Sequence, residues 1–235
     1  MVDTVFNTVS STDQAKAVTS AMVMTQLAQL NAAYSLANIQ FRLISTTYTV
    51  SNAWATGSND AGMKNALRQG TYNTLNVYFQ TNLSSTGIPP GSILLGFCSL
   101  PTNVTYGYPP IEFPQADYAT DGCNILAGTM PNGSVDGYNQ GKTAVHEVGH
   151  WFGLLHTFQD TTCLSSDPGD YIDDTPQEGS ATNGCPTGKD SCPNSTGLDP
   201  INNYMDYLTD ACYTQSTPKQ RIRMQQMWKK YRANL

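Results

Sequence analysis

Every histidine of this chain, three in 235 residues, falls in one window, His146-Glu147-Val148-Gly149-His150-Trp151-Phe152-Gly153-Leu154-Leu155-His156, spaced H-E-x-x-H-x-x-G-x-x-H. On an α-helix, residues four apart project from one face, so His146 and His150 can grip one ion together. Glu147 lies between them, next to the space that a metal-bound water would fill, and can take that water's proton as general base. Gly153 follows, where a residue without Cβ can adopt positive φ, end the helix and turn the chain back beneath the metal. His156 then arrives as a third ligand. Three imidazoles with one position left to water make the open coordination of a catalytic zinc, whereas structural sites are closed by four protein ligands. A lone histidine reads as an ordinary surface or core residue. Three that exhaust the chain's supply at ligand spacing, with a glutamate and a glycine interposed, do not.

Further along stands Asn202-Asn203-Tyr204-Met205-Asp206-Tyr207. With the long histidine motif, it resembles the metzincin metallopeptidases, in which a tight turn carries a methionine. The run from His146 to Phe158, then Gly169-Asp170-Tyr171-Ile172-Asp173-Asp174-Thr175-Pro176, then Asn202 to Tyr207, is similar to the pappalysin family, and more narrowly to its secreted microbial, ulilysin-like members. The likeness is strongest from about Ala144 to Cys212 and looser through Met63 to Arg68. It implies an α+β metzincin-type catalytic domain spanning residues 1–235, with a twisted mixed sheet backed by helices in an upper lobe, 1–152. A loop-rich, disulfide-stapled lower lobe, 153–235, would hold the third ligand, the methionine turn and a final helix. By the same resemblance His146, His150 and His156 are zinc ligands, Glu147 is the general base and Met205 lies beneath the metal. Tyr207 would steady the tetrahedral intermediate, as developing oxyanions require donors. Without the resemblance, Met205 reads as filler in an apolar pocket and Tyr207 as a half-buried packing residue. Relatives of this type prefer a basic residue just after the scissile bond.

Six cysteines, Cys98, Cys123, Cys163, Cys185, Cys192 and Cys212, form no C-x-x-C pair, and no histidine is left to complete a second zinc site. Disulfides are the better use, and sequence alone leaves their pairing open. The resemblance implies Cys163 with Cys192 and Cys185 with Cys212, leaving Cys98 for Cys123. Asn-x-Ser/Thr sequons at Asn82, Asn103, Asn132 and Asn194 point with the cysteines to a secreted, extracellular and glycosylated protein. The start, Met1-Val2-Asp3-Thr4, lacks the basic and then apolar run of a secretory signal, so any signal and pro-segment are expected upstream.

The formal net charge of −6 argues against nucleic acid as a partner. Fourteen of the eighteen acids lie between Asp117 and Asp210, while six of the twelve bases fall between Lys219 and Arg232. The catalytic half is therefore acidic, and its field can steer basic peptides or be merely solvated. No apolar run is long enough to span a membrane. A monomer acting on protein or peptide is expected.

The elements that must position the site can be read in outline. Thr19 or Ser20 caps a first helix with Val23, Leu27, Leu30 and Tyr34 on one stripe. Ile39, Phe41 and Leu43 alternate as a strand. A short helix near Met63 to Arg68 leads to strands at Leu75–Phe79, Ile93–Cys98 and Cys123–Thr129. From Gln159 to Pro200 the composition is that of loop, and a free loop of that length in a compact domain needs function or staples. The same segment carries Asp167, Asp170, Asp173, Asp174 and Glu178, whose hard oxygens suit calcium. Their spacing is not that of an EF-hand loop. Ulilysin-like relatives bind calcium in this part of the fold, which sets Ca2+ beside the plain reading of a solvated acidic loop. Ser216 or Thr217, then Pro218 at the first helical position, open an amphipathic closing helix with Met224, Met227, Trp228 and Tyr231 on one face.

The expected activity is that of a secreted zinc metalloendopeptidase cutting internal bonds of extended polypeptides. No serine or cysteine nucleophile has a spare histidine to activate it. The competing reading is a catalytically silent zinc-binding module of the same fold, against which stands the retained Glu147.

Overall fold

The computed structural model of the chain describes residues 1–85, 92–102, 115–164, 166–167 and 169–233. Its framework is a five-stranded sheet in the order β2-β1-β3-β5-β4. The strands are β1 (Val2–Ser10), β2 (Phe41–Val50), β3 (Leu75–Gln80), β4 (Gly96–Cys98) and β5 (Cys123–Leu126). The first three pairings are parallel, and β4 runs antiparallel to β5 at one edge. Parallel neighbours need crossovers, and the helices that make them cover both faces of the sheet.

On one face lie α1 (Ser20–Tyr34), opened by Thr19 whose hydroxyl accepts from the Met22 amide, and α5 (Lys142–Trp151). Val23, Leu30 and Tyr34 of α1 pack with Phe6, Phe41, Phe79, Val145 and Val148 in the main apolar core. The Tyr34 hydroxyl donates to the Val145 carbonyl at 2.8 Å, which fixes α1 against the middle of α5. The other face carries α2 (Asn52–Ala55), α3 (Asp60–Leu67) and α4 (Gln115–Thr120), with a smaller core of Val9, Met63 and Tyr78. Buried there, the Lys64 ammonium pairs with Asp60 at 3.0 Å and donates to the Thr120 carbonyl at 2.9 Å.

Several elements differ from the sequence-based outline. Strand β1 sits between β2 and β3 and is buried along nearly its whole length, so Thr4, Asn7 and Thr8 are as hidden as Val5 and Phe6. The alternation that marks a half-buried strand is therefore absent from it. The strand read over Cys123–Thr129 stops at Leu126, because Ala127–Thr129 tightens into a 3-10 turn held by the Thr129 hydroxyl on the Leu126 carbonyl. The strand read over Ile93–Cys98 is confined to Gly96–Cys98. Of the sequons, Asn132 and Asn194 are exposed and Asn82 is half-buried, while Asn103 lies outside the described residues.

Among the described residues beyond Gly153 regular structure is confined to a 3-10 turn at Gln159–Thr161 until α6 (Pro218–Tyr231). Disulfides join Cys163 to Cys192 and Cys185 to Cys212 within it, and Cys98 to Cys123 across β4 and β5. Charge ties the loops further: the Lys189 ammonium pairs with Glu178 at 2.8 Å and with Asp199 at 2.9 Å, both carboxylates being buried. Thr217 caps α6 in a capping box with Gln220, behind Pro218. Met224 faces the core, while Trp228 packs on Trp151 and Phe152. Arg232 closes the arrangement: it lies buried over the Trp151 and Tyr72 rings and forks onto Asp121 at 2.8 and 3.1 Å. Asp121 also accepts from the Trp151 indole, so the end of α6 is pinned to the end of α5. No helix among the described residues is long and apolar enough to cross a membrane.

Candidate metal centre and cleft

Helix α5 starts after Gly141, which takes a left-handed φ of 80°, and is buried at every position from Thr143 to Gly149. On this helix His146 is buried and His150 half-buried. Gly153 has φ +85°, with its amide on the His150 carbonyl, and turns the chain so that His156 comes back under the helix. The Nε2 atoms of His146 and His156 each lie 3.1 Å from Nε2 of His150. The other ring nitrogen of two of them faces a carbonyl: His146 Nδ1 donates to Tyr204 O at 2.7 Å and His150 Nδ1 to Leu154 O at 2.8 Å. A carbonyl can only accept, so the proton sits on Nδ1 and Nε2 keeps its lone pair. Burial, together with the neighbouring rings, holds His146 well below the ordinary histidine range, burial lowers His150, and His156 falls to about 3. All three imidazoles are neutral at neutral pH, the form in which a metal can be held.

This donor set fits zinc. Ligands at roughly 2.0–2.1 Å from a tetrahedral ion stand about 3.3 Å apart, close to the spacing found here. Nδ1–H bonds to carbonyls fix the rings in the orientation that a metal needs. Among the described residues these three form the one group of His, Cys, Asp or Glu, three or more in number, whose ligand atoms gather within 4.8 Å.

The surroundings are built from distant segments. The methionine turn is shaped by Asn203, whose side chain accepts from the Met205 amide at 3.0 Å and is itself held by Gln220 of the α6 capping box. Met205 O accepts from the Thr157 amide, tying the turn to the third-ligand segment. Phe158 stacks on His156 with ring centroids 4.8 Å apart and meets Tyr207 edge-on at 4.8 Å. The Tyr207 ring lies 4.9 Å from His156 and 5.7 Å from His146. Glu147 is buried, its Oε2 has no partner within the protein, and burial raises its carboxyl to about 8. A Cβ on Gly96 of β4 would stand 2.9 Å from Glu147 Cγ, so only glycine lets the edge strand come this close. Gly96 escapes a reading of the sequence, since no spacing marks it, and Phe158 closes the family-like run without a role assigned to it there.

Of the acids proposed for calcium, Asp167, Asp170 and Glu178 line one cavity, and Asp173 and Asp174 do not. Asp173 is exposed and pairs with Lys219 at 2.6 Å. Glu178 is occupied by Lys189 and by the hydroxyls of Thr157 and Thr182. Asp174 accepts from the Lys219 amide. Asp167 and Asp170 turn one oxygen each to the amides of Gly169 and Ile172, and line a cavity of about 190 Å3.

A family model for the M43 peptidases, described as pregnancy-associated plasma protein-A, matches residues 57–229, which include every group described above in α5 and the methionine turn. The chain belongs to the M43, or pappalysin, peptidase family. This pappalysin is 45% identical over 249 residues to an extracellular metalloprotease of Aspergillus fumigatus, covering 97% of this chain and 75% of that protein. To an extracellular metalloprotease of Neurospora crassa it is 49% identical over 217 residues, 92% of this chain and 70% of that one. Mature mirolysin of Tannerella forsythia, solved with a cleaved peptide, shares the fold with a TM-score of 0.74 at 25% identity, over 97% of this chain and 92% of that chain. Promirolysin gives 0.76 at 26% identity, over 97% and 80%. The pappalysin described here is thus a metzincin-type metalloendopeptidase, and proteins or peptides are its substrates.

Proposed function

We propose that the chain is a secreted zinc endopeptidase in which Glu147 moves the proton and Tyr207 attends the developing oxyanion. The observation that carries this reading is the convergence of three imidazole Nε2 atoms, two of them left with a free lone pair by Nδ1–H bonds to carbonyls, beside a buried carboxylate oxygen that nothing in the protein engages. Bound at the triad, zinc supplies Lewis acidity, acidifying a water molecule and polarising the scissile carbonyl. Glu147 accepts a proton at Oε2 and hands it to the leaving amine. Its raised affinity for protons suits a base that must also act as an acid near neutral pH. The Tyr207 hydroxyl donates to the carbonyl oxygen as charge builds on it, and Phe158 and His156 brace its ring.

Substrate is held as an extended strand along β4, the edge of the sheet next to Glu147. Strand addition satisfies backbone groups whatever the side chains, so an internal bond of a chain passing through the cleft is cut. The whole chain acts as one catalytic domain of two lobes, 1–152 and 153–235, in a monomer. Three disulfides and the extracellular naming of its relatives support a secreted protein. Net charge and the acidic catalytic half speak against nucleic acid. Calcium is proposed only at the Asp167 and Asp170 cavity, where one buried Asp170 oxygen has no partner.

The test is metal analysis together with mass-spectrometric mapping of cuts in an unfolded protein. One zinc per chain and internal cuts support the reading. A zinc-loaded protein that cuts nothing would leave the silent binding module standing.

A further inference from the structure

We propose that the residue this cleft selects beside the scissile bond is apolar, aromatic or long aliphatic, and that Leu208 and Asn183 set that choice. The proposal rests on the peptidase reading above and names its substrate class.

A cavity of about 360 Å3 opens from Glu147 and His146 between α5, the approach to β4 and the segment after the methionine turn. Leu208, Thr143 and Tyr213 are buried residues in its lining, Tyr138 and Leu95 are half-buried, and Asn183 is exposed. Among the described residues Glu147 is the one charged group that lines it. The Tyr213 hydroxyl is already engaged, donating to Asp206 O at 2.6 Å and accepting from the Leu208 amide at 3.0 Å, so it adds its ring beside Leu208 and Leu95, and the polar groups of the wall, Ser92, Thr143, Asn183 and Tyr207, are neutral. Two acids follow closely in sequence but do not line the cavity. Asp206 gives Oδ1 to the amides of Thr182 and Tyr207 and Asp210 gives Oδ2 to that of Gln140, while the second oxygen of each is buried without a protein partner, outside the cavity lining. A cation stands behind the wall instead: the Lys142 ammonium lies 2.8 Å from Tyr213 O and 2.7 Å from Asp210 O.

A guanidinium or ammonium entering this cavity would leave water and meet no carboxylate in its lining other than the one needed for catalysis. Charge is costly to desolvate without a partner, whereas an apolar side chain gains from the same move. The overall acidity of the catalytic half therefore does not reach the pocket. This departs from the preference for a basic residue that the family likeness implies.

The experiment maps cuts in a peptide library by the zinc-loaded native protein and by Asn183→Asp and Leu208→Asp. It also measures the binding of matched peptides, Phe, Leu or Arg at the selected position, to Glu147→Gln. The native protein is expected to favour Phe, Tyr, Leu or Met over Arg and Lys at one flanking position by about tenfold or more. The Glu147→Gln protein is expected to bind in the same order. Each added carboxylate is expected to move the preference towards Arg, and Asn183→Asp, at an exposed site, keeps the test valid where Leu208→Asp fails to fold. Cuts that favour Arg or Lys, or that show no preference on either side, overturn the proposal and leave the peptidase standing. No cleavage and no peptide binding overturn both.

Discussion

The sulfur of Met205 occupies the place from which a side chain on Gly149 would start: a Cβ there would lie 2.5 Å from Sδ. Gly149 lies one residue before the second ligand, so the methionine turn packs directly under the ligand helix. Gly149→Ala is expected to cost about 1–3 kcal/mol through overpacking and to weaken zinc retention. Pairing it with Met205→Ala should recover part of that loss. Thermal unfolding at fixed zinc for the single and double variants checks this, and purely additive losses would count against a direct contact.

Asp121 is a second point where distant segments meet, since it faces both Arg68 and Arg232 in the interior. Asp121→Ala leaves two buried guanidinium groups without their anion, and should destabilise the fold by about 3–5 kcal/mol. Urea unfolding measures it. Arg232→Ala should also destabilise, through lost stacking on Trp151 and Tyr72 as well as lost charge.

Asp170 gives a pH signature. Burial pushes its carboxyl up to about 6 from an ordinary 3.8. The folded chain then holds a proton that the unfolded chain releases, so this group's stabilising share is complete below about 4 and lost as pH rises through about 6. A shift of that size corresponds to roughly 3 kcal/mol. Relative to the native protein, Asp170→Asn should gain stability from pH 4 to pH 7 by up to about that amount, in calcium-free buffer with zinc held constant. Calcium bound at this cavity would favour the ionised carboxylate and reverse the slope, so repeating the series with calcium tests its presence.

The site was more legible than the scaffold because it is local. Helical spacing alone puts His146 and His150 on one face, and a glycine before His156 announces the turn that brings it back. The rest depends on contacts that sequence does not advertise. Strand β1 hides Asn7, Thr4 and Thr8 on its buried faces, which erases the alternation by which a strand is recognised. Gly96 meets Glu147, and Asp121 meets Arg232, only once the sheet is folded. The acidic run from Asp167 to Glu178 reads as one cation site, whereas Lys189 and Lys219, distant in sequence, take Glu178 and Asp173 and leave Asp167 and Asp170 at the cavity. Acid density is visible in a sequence, whereas its neutralisation is a property of the fold.

The central claim is that Glu147 serves as base and not as ligand. The most direct measurement compares zinc content and peptide cleavage for the native protein and Glu147→Ala under one set of conditions. Unchanged zinc, one per chain, with cleavage reduced by roughly 10²-fold or more is the predicted result. Loss of the metal, or cleavage within a few-fold of native, would contradict it.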